Sequence, residues 1–302
     1  MTTRSDTDTR RYLLEQIDEA AVVQLYADGF AALPLNEKRL IWHLYQAALA
    51  GRDIYFDQRH ALALEMRAVL EAVLRHPDGI DEEALDEIRR YTKLFWINSG
   101  PYNNLTARKF VLNLDRAALR DAVRQAEQNG AALPRRRNET ADGLIDRLAP
   151  MFLDPAVDPF VTSKAPGEGR DILEASANNL YAGVRMADIA GFSERYGLNS
   201  RLVRHDDGRL EEEVYREGGR YGDAIARIMG HLEDAMPYAT PAMRRALEAL
   251  VKFYRTGEEA DREAYDIAWV EDKDSPVDTI NGFVEVYMDA RGVKGAWEAL
   301  VF

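Results

Sequence analysis

Near its end the chain sets an acid and a phenol two residues apart, in the run Phe283-Val284-Glu285-Val286-Tyr287-Met288. In an extended strand successive side chains point to opposite faces. Phe283, Glu285 and Tyr287 would then share one face, and Val284, Val286 and Met288 an aliphatic face that wants a core. A carboxylate beside a phenol suits a cleft that binds an amine and donates a hydrogen bond to a developing oxyanion. The same pattern also describes a half-solvated strand with an ordinary polar face. A second candidate is Leu94-Phe95-Trp96-Ile97-Asn98-Ser99-Gly100-Pro101-Tyr102-Asn103-Asn104-Leu105. Gly and Pro fix a turn there, and the asparagines can satisfy its backbone groups. Asn98, Gly100, Tyr102 and Asn103 could line a cleft, because loops carry function more often than helices do. A plain helix-to-strand connection is the other reading.

Other chemistries leave no trace. The histidines are His43, His60, His76, His205 and His231, and no His-Glu-x-x-His or His-Glu-x-x-x-His pairs any of them. A zinc hydrolase sets two imidazoles one helical turn apart, so each histidine is read alone, as a helix-face or cap residue, and no metal site is expected. Glu82 to Glu87 and Glu258 to Glu263 are acidic, but they fall in first helical turns, where carboxylates favour the helix dipole. Phosphate-binding glycine loops and the Gly-x-Ser-x-Gly elbow are absent, and Gly218-Gly219-Arg220-Tyr221-Gly222 reads as a turn. A glycosidase would need a carboxylate pair in one cleft, and the sequence alone places none there.

Composition narrows the field further. The 302 residues carry 39 basic and 52 acidic side chains, a net charge of −13, which argues against a nucleic-acid partner and fits either solubility alone or a cationic ligand such as a peptide amino terminus. There is no cysteine, hence no disulfide, thiolate site or thiol nucleophile. The opening residues Met1 to Arg11 lack the apolar core of a secretory signal, and no apolar run approaches the roughly 18 residues of a membrane span. A cytoplasmic protein without a membrane partner is expected.

The elements that must position these residues are mostly helices. Apolar spacing predicts a helix from Tyr12 to about Leu33, a second capped by Asn36 and ending near Gly51, a third capped by Asp57, and a fourth from Asp81 to Trp96. Lys109 to Asn113 is short and extended, and Asp115 starts another helix that ends near Gly130. Pro134-Arg135-Arg136-Arg137 is a basic turn and Pro155 to Gly169 a loop. Ser200 to Glu217 reads as a hairpin turning at Asp206-Asp207-Gly208, followed by helices at Tyr221 to Ala235, Pro241 to Thr256 and Glu258 to Trp269. The last 21 residues, from Gly282, read as a second hairpin. The class is α+β, divided into a helical region 1–130 and a mixed region 131–302, both parts of one lobe. The final apolar strand, Trp297 to Phe302, has no polar tail, which suggests a larger molecule cut before its chemistry is complete.

Four segments together carry a resemblance. They are Phe95 to Asn104 with Arg108-Lys109-Phe110, Ala50-Gly51-Arg52-Asp53-Ile54-Tyr55-Phe56-Asp57-Gln58, Tyr196 to Val203, and the Gly282 to Glu298 hairpin. In this order the sequence from about residue 35 onward resembles the bacterial branch of the dipeptidyl-peptidase III family of zinc metallopeptidases. The resemblance implies the lower lobe of a two-lobed peptidase, with helices around a small, partial antiparallel β-barrel. It also implies that Glu285, Tyr287 and Glu298 line a substrate cleft. The acids would hold the free amino terminus of a short peptide, and Tyr287 would assist at the scissile carbonyl. The family's zinc motif belongs to its upper lobe and is not in this chain, so zinc and the missing catalytic lobe are expected only in a full-length parent. The chain alone is then expected to be inactive. A non-enzymatic peptide-binding or scaffold protein of the same descent is the alternative.

Overall fold

The computed structural model describes residues 10–302. The reading of the chain's opening as free of a secretory core falls largely on residues outside that range. Two short strands, β1 (Leu13–Ile17) and β2 (Ala20–Val23), form an antiparallel hairpin. A 3-10 turn at Asp28–Ala32 leads into helix α1 (Leu35–Arg59). Then come α2 (Ala63–Arg75), α3 (Glu82–Ile97), α4 (Arg116–Gln128) and α5 (Ala141–Leu153). Strand β3 (Tyr181–Ala182), the short helix α6 (Met186–Ile189), β4 (Ser200–Arg204) and β5 (Leu210–Val214) follow. Helices α7 (Gly222–Ala235), α8 (Pro241–Thr256) and α9 (Glu259–Glu271) precede the closing strands β6 (Thr279–Phe283) and β7 (Trp297–Val301).

Side-chain caps start several helices. Asp81 accepts from Ala84 N at 3.0 Å, Asp115 from Ala118 N at 2.7 Å and Thr140 from Gly143 N at 3.0 Å. Each satisfies a backbone donor that the first helical turn leaves unpaired. Gly257, at φ 75°, ends α8 in the left-handed conformation that favours glycine.

Two apolar cores meet along α1. One gathers Phe56, Met66, Leu70, Tyr91, Phe95 and Phe152, with partners reaching to Met288 and Ala296. The other joins Leu44 and Ile54 to Leu232, Leu250, Phe283 and Trp297. The half-buried Tyr55 packs against both. Helix α1 is thus the wall against which the closing hairpin is fixed.

Three expectations about the elements fail. Tyr12 to Leu33 is not a helix. Its apolar residues sit mostly exposed on the β1–β2 ribbon, so their three-and-four spacing marks no buried helical face. Gly51 and Asp57 do not separate two helices, because α1 runs through both. Gly51 makes room for an indole, and Asp57 accepts from Arg220 at 2.6 Å and Asn179 at 3.1 Å. The β structure among the described residues falls into separate sheets, β1–β2, β3–β4–β5 and β6–β7, and none closes into the expected partial barrel. The mostly helical α+β class stands.

The histidines divide. His60 Nδ1 accepts from Leu62 N at 3.1 Å, as a cap residue would. His43 and His231, read singly in the sequence, face each other across α1 and α7 with ring centroids 6.1 Å apart. No described helix is long and apolar enough to cross a membrane.

Candidate functional site

The closing hairpin aligns Phe283 with Trp297 and Gly282 with Glu298. Phe283 and Trp297 go into the core, so Gly282 and Glu298 belong to the opposite face. The ladder then changes step. Val284 N donates to Ala296 O at 3.1 Å, while Ala296 N donates to Glu285 O at 2.8 Å. Val284 and Glu285 therefore oppose the single residue Ala296, the pairing of a β-bulge. The extra residue carries Glu285 to the face of Glu298. The strict alternation expected for Phe283 to Met288 fails for this reason. Phe283 and Met288 are buried, while Val284, Glu285 and Tyr287 are exposed.

The bulge brings the expected residues together. Burial and the neighbouring Glu285 carboxylate hold the Glu298 carboxyl above its ordinary range, against the Tyr287 hydroxyl, which favours the charged form. The Tyr287 phenol is pushed well up by burial, by its hydrogen bond to Tyr55 and by the charge of Glu298, so it stays protonated at neutral pH. Its hydroxyl lies 2.9 Å from that of Tyr55 on α1. Arg59, one turn further along α1, directs Nη1 at the Tyr55 hydroxyl at 3.4 Å and Nη2 at the Tyr102 carbonyl. Arg59 is 2% exposed, and its Nε has no hydrogen-bond partner. The result is two carboxylates, two linked phenols and a buried cation. Such a group can receive an ammonium on the acids and offer a phenolic hydrogen bond to an oxygen.

Tyr55 and Arg59, which adjoin the candidate group, were not singled out in the sequence. Their four-residue spacing puts them on one helix face, and Tyr55 lies in one of the segments that carried the resemblance. The Asn98–Asn104 loop is held largely by its own hydrogen bonds. Asn98 donates to Leu94 O at 2.9 Å and accepts from Asn104 N at 2.9 Å. Asn103 accepts from Leu105 N and Thr106 N, closing its own turn. Tyr102 is fully buried and donates to Asp158 O at 3.0 Å. Gly100, at φ 145°, lies against the Arg59 side chain. The loop thus reaches the acid–phenol group through Arg59.

A separate set of contacts holds the 284–296 connection. Asp289 is fully buried and accepts from Arg291 N at 3.0 Å and, at 2.8 Å each, from Val293 N, Lys294 N and the Tyr181 hydroxyl. Lys294, also fully buried, donates to Glu194 at 2.6 Å, and Arg291 donates to the same carboxylate at 2.6 Å. Burial alone would raise the Glu194 carboxyl, but the two cations prevail and hold it below its ordinary range. From α1, Gln58 donates to Gly295 O at 3.0 Å and accepts from Trp297 N at 2.8 Å. The Trp297 indole lies flush against Gly51, about one turn before Tyr55. Helix and hairpin are therefore registered on both sides of the acid–phenol group.

Comparison with known proteins gives consistent relatives. The family model described as Peptidase family M49 matches residues 189–302. Dipeptidyl peptidase 3 of Rattus norvegicus is 23% identical over 91% of this chain and 42% of its own length. The Homo sapiens protein gives the same figures, 23%, 91% and 42%. The chain thus spans about two fifths of the length of these curated relatives. Among solved structures, DPP III from Caldithrix abyssi superposes with a TM-score of 0.58 at 18% identity, over 91% of this chain and 40% of that one. Dipeptidyl-peptidase III from Corallococcus sp. strain EGB gives 0.59 at 19%, over 92% and 41%. These two likenesses show a shared fold. The resemblance read from the sequence is borne out as a similarity: the chain matches dipeptidyl-peptidase III proteins over about two fifths of their length.

Proposed function

We propose that this chain is the amino-terminal, substrate-binding lobe of a dipeptidyl-peptidase, the lower of two lobes, and that it grips the amino end of short peptides. The observation that carries this reading is the convergence of Glu285, Glu298 and Tyr287 at the hairpin bulge, braced by Tyr55 and Arg59. The acids receive the peptide ammonium, in keeping with the chain's net charge of −13. Tyr287, kept protonated, directs its hydroxyl at a backbone carbonyl of the bound peptide. Hydrolysis asks for more than these residues supply. The zinc of the parent family needs a histidine-rich set, and Glu285, Tyr287, Glu298, Tyr55 and Arg59 contain no histidine. Catalysis belongs to the lobe that completes the cleft, and the chain alone, in the cytoplasm as elsewhere, binds without cleaving.

Calorimetric titration of a tetrapeptide with a free amino terminus, and of its acetylated counterpart, tests the proposal. The free peptide should bind more tightly by about 10- to 100-fold, the worth of a charge-assisted hydrogen bond. Glu285→Gln and Glu298→Gln should each erase most of that difference. Equal affinity for the two peptides would overturn the reading. Release of dipeptides by the pure chain would overturn its inactivity.

A further inference from the structure

We infer that His43, His231 and Asp234 form a binding site for a divalent transition-metal cation that clamps α7 to α1. His43 projects from α1; His231 and Asp234 lie three residues apart on α7, on neighbouring positions of one face. The three side chains each place a ligand atom within 4.8 Å of the others, and no other such group occurs among the described residues. Nδ1 of His43 and Nδ1 of His231 are both buried and have no hydrogen-bond partner. A buried ring nitrogen without a partner is costly, and nearly all such groups in folded proteins are satisfied by protein, water or an ion. The nearest candidate partner, Asp234 Oδ2, stands 3.9 Å from His43 Nδ1, too far for a hydrogen bond.

That gap suits a cation. Ligands about 2.0–2.1 Å from a tetrahedral ion stand about 3.3 Å apart. The Asp234 side chain is exposed, so solvent leaves it room to close 3.9 Å toward that spacing. The His43 ring is less free: Tyr238 lies parallel to it, 11° between planes, at 6.1 Å. Two imidazoles and one carboxylate favour zinc, cobalt(II) or nickel(II) over magnesium or calcium, which prefer all-oxygen sets. The remaining coordination position is solvent. The site is distinct from the acid–phenol group. Along α1, His43 precedes Tyr55 by twelve residues, about 18 Å of helix. No local motif announces it, because its histidines come from helices far apart in the chain.

The test uses the 302-residue chain stripped of metal with EDTA. Zinc should bind calorimetrically at one ion per chain, and cobalt(II) should give the visible absorption of a nitrogen- and oxygen-ligated ion. His43→Gln and His231→Gln should each weaken zinc by about 100-fold or more, and Asp234→Asn by about tenfold. His205→Gln, whose ring pairs with Glu211 at 2.8 Å, should leave binding unchanged. Urea midpoints in EDTA identify any variant that is misfolded rather than ligand-deficient. No saturable zinc binding to the unaltered chain below about 100 μM, or binding that survives both histidine substitutions, overturns the site.

Discussion

Gly51→Ala isolates the contact that registers α1 against the closing hairpin. Gly51 lies inside α1, where alanine normally stabilises a helix by about 1 kcal/mol over glycine. Here a Cβ would overlap the Trp297 indole, standing only 2.6 Å from Cη2 and closer still to two other ring carbons. Carbon atoms pack at about 3.5–4.0 Å, so the ring must retreat by about 1 Å or more. It has little room to do so. Trp297 is 5% exposed, and its backbone N–H is held by Gln58 at 2.8 Å. Overpacking of this kind costs about 1–3 kcal/mol, and a rigid ring falls at the upper end. Setting about 3 against the helix gain of about 1, we expect a net loss of about 2 kcal/mol. Gly230→Ala is the control. It lies inside α7 with nothing within 4 Å of its would-be Cβ, so only the helix gain of about 1 kcal/mol applies. Urea unfolding of both variants reads the two effects with opposite signs. A Gly51→Ala chain as stable as the parent, or more so, would refute the argument.

Further outcomes follow from the same geometry. Asp289→Asn replaces one accepting oxygen with an amide NH2, so the side chain can no longer accept both from Arg291 N on one side and from Val293 N, Lys294 N and the Tyr181 hydroxyl on the other. A stability loss of about 3 kcal/mol is expected by chemical denaturation, and a loss below about 1 would contradict the role given to it. Glu298 gives a pH-dependent result. Its folded carboxyl is raised, so the native state holds the proton more tightly than the unfolded chain. The stability it contributes is full below the unfolded glutamate value of about 4.3 and is lost as pH rises through the raised folded value. Glu298→Gln keeps the neutral form at every pH. It should therefore match the parent at about pH 3.5 and exceed it at neutral pH, measured by urea midpoints. A variant less stable than the parent at neutral pH would show the carboxylate to be favourably paired.

How far the sequence could be read depended on whether the signal was local. Asp81 and Asp115 announced α3 and α4 because a cap and an apolar face occupy the same dozen residues. The β4–β5 hairpin was legible through its Asp-Asp-Gly turn. Gly51 and Asp57 misled because their partners lie far away in the chain: a glycine that accommodates Trp297 looks like a helix end, and an acid paired with Arg220 looks like a cap. Helix α5 and the parallel strand β3 went unforeseen. In the candidate site, Glu285 and Tyr287 were singled out from their spacing and Glu298 only through the resemblance. Tyr55 and Arg59 were invisible because nothing near them in sequence shows what faces them. The bulge was hidden too, since one residue added to a strand leaves its composition unchanged.

That bulge makes the parity of the hairpin part of its chemistry. Were the same residues paired in a regular ladder, with Val284 alone opposite Ala296, Glu285 would fall on the side occupied by Phe283 and Trp297. A carboxylate would then be aimed into a core, and Glu298 would stand alone on the other face. Deleting Val284, by contrast, removes the extra residue and leaves Glu285 opposite Ala296, on the face of Glu298. Redesign of this hairpin can therefore drop Val284, but cannot straighten the ladder around it while Val284 is kept.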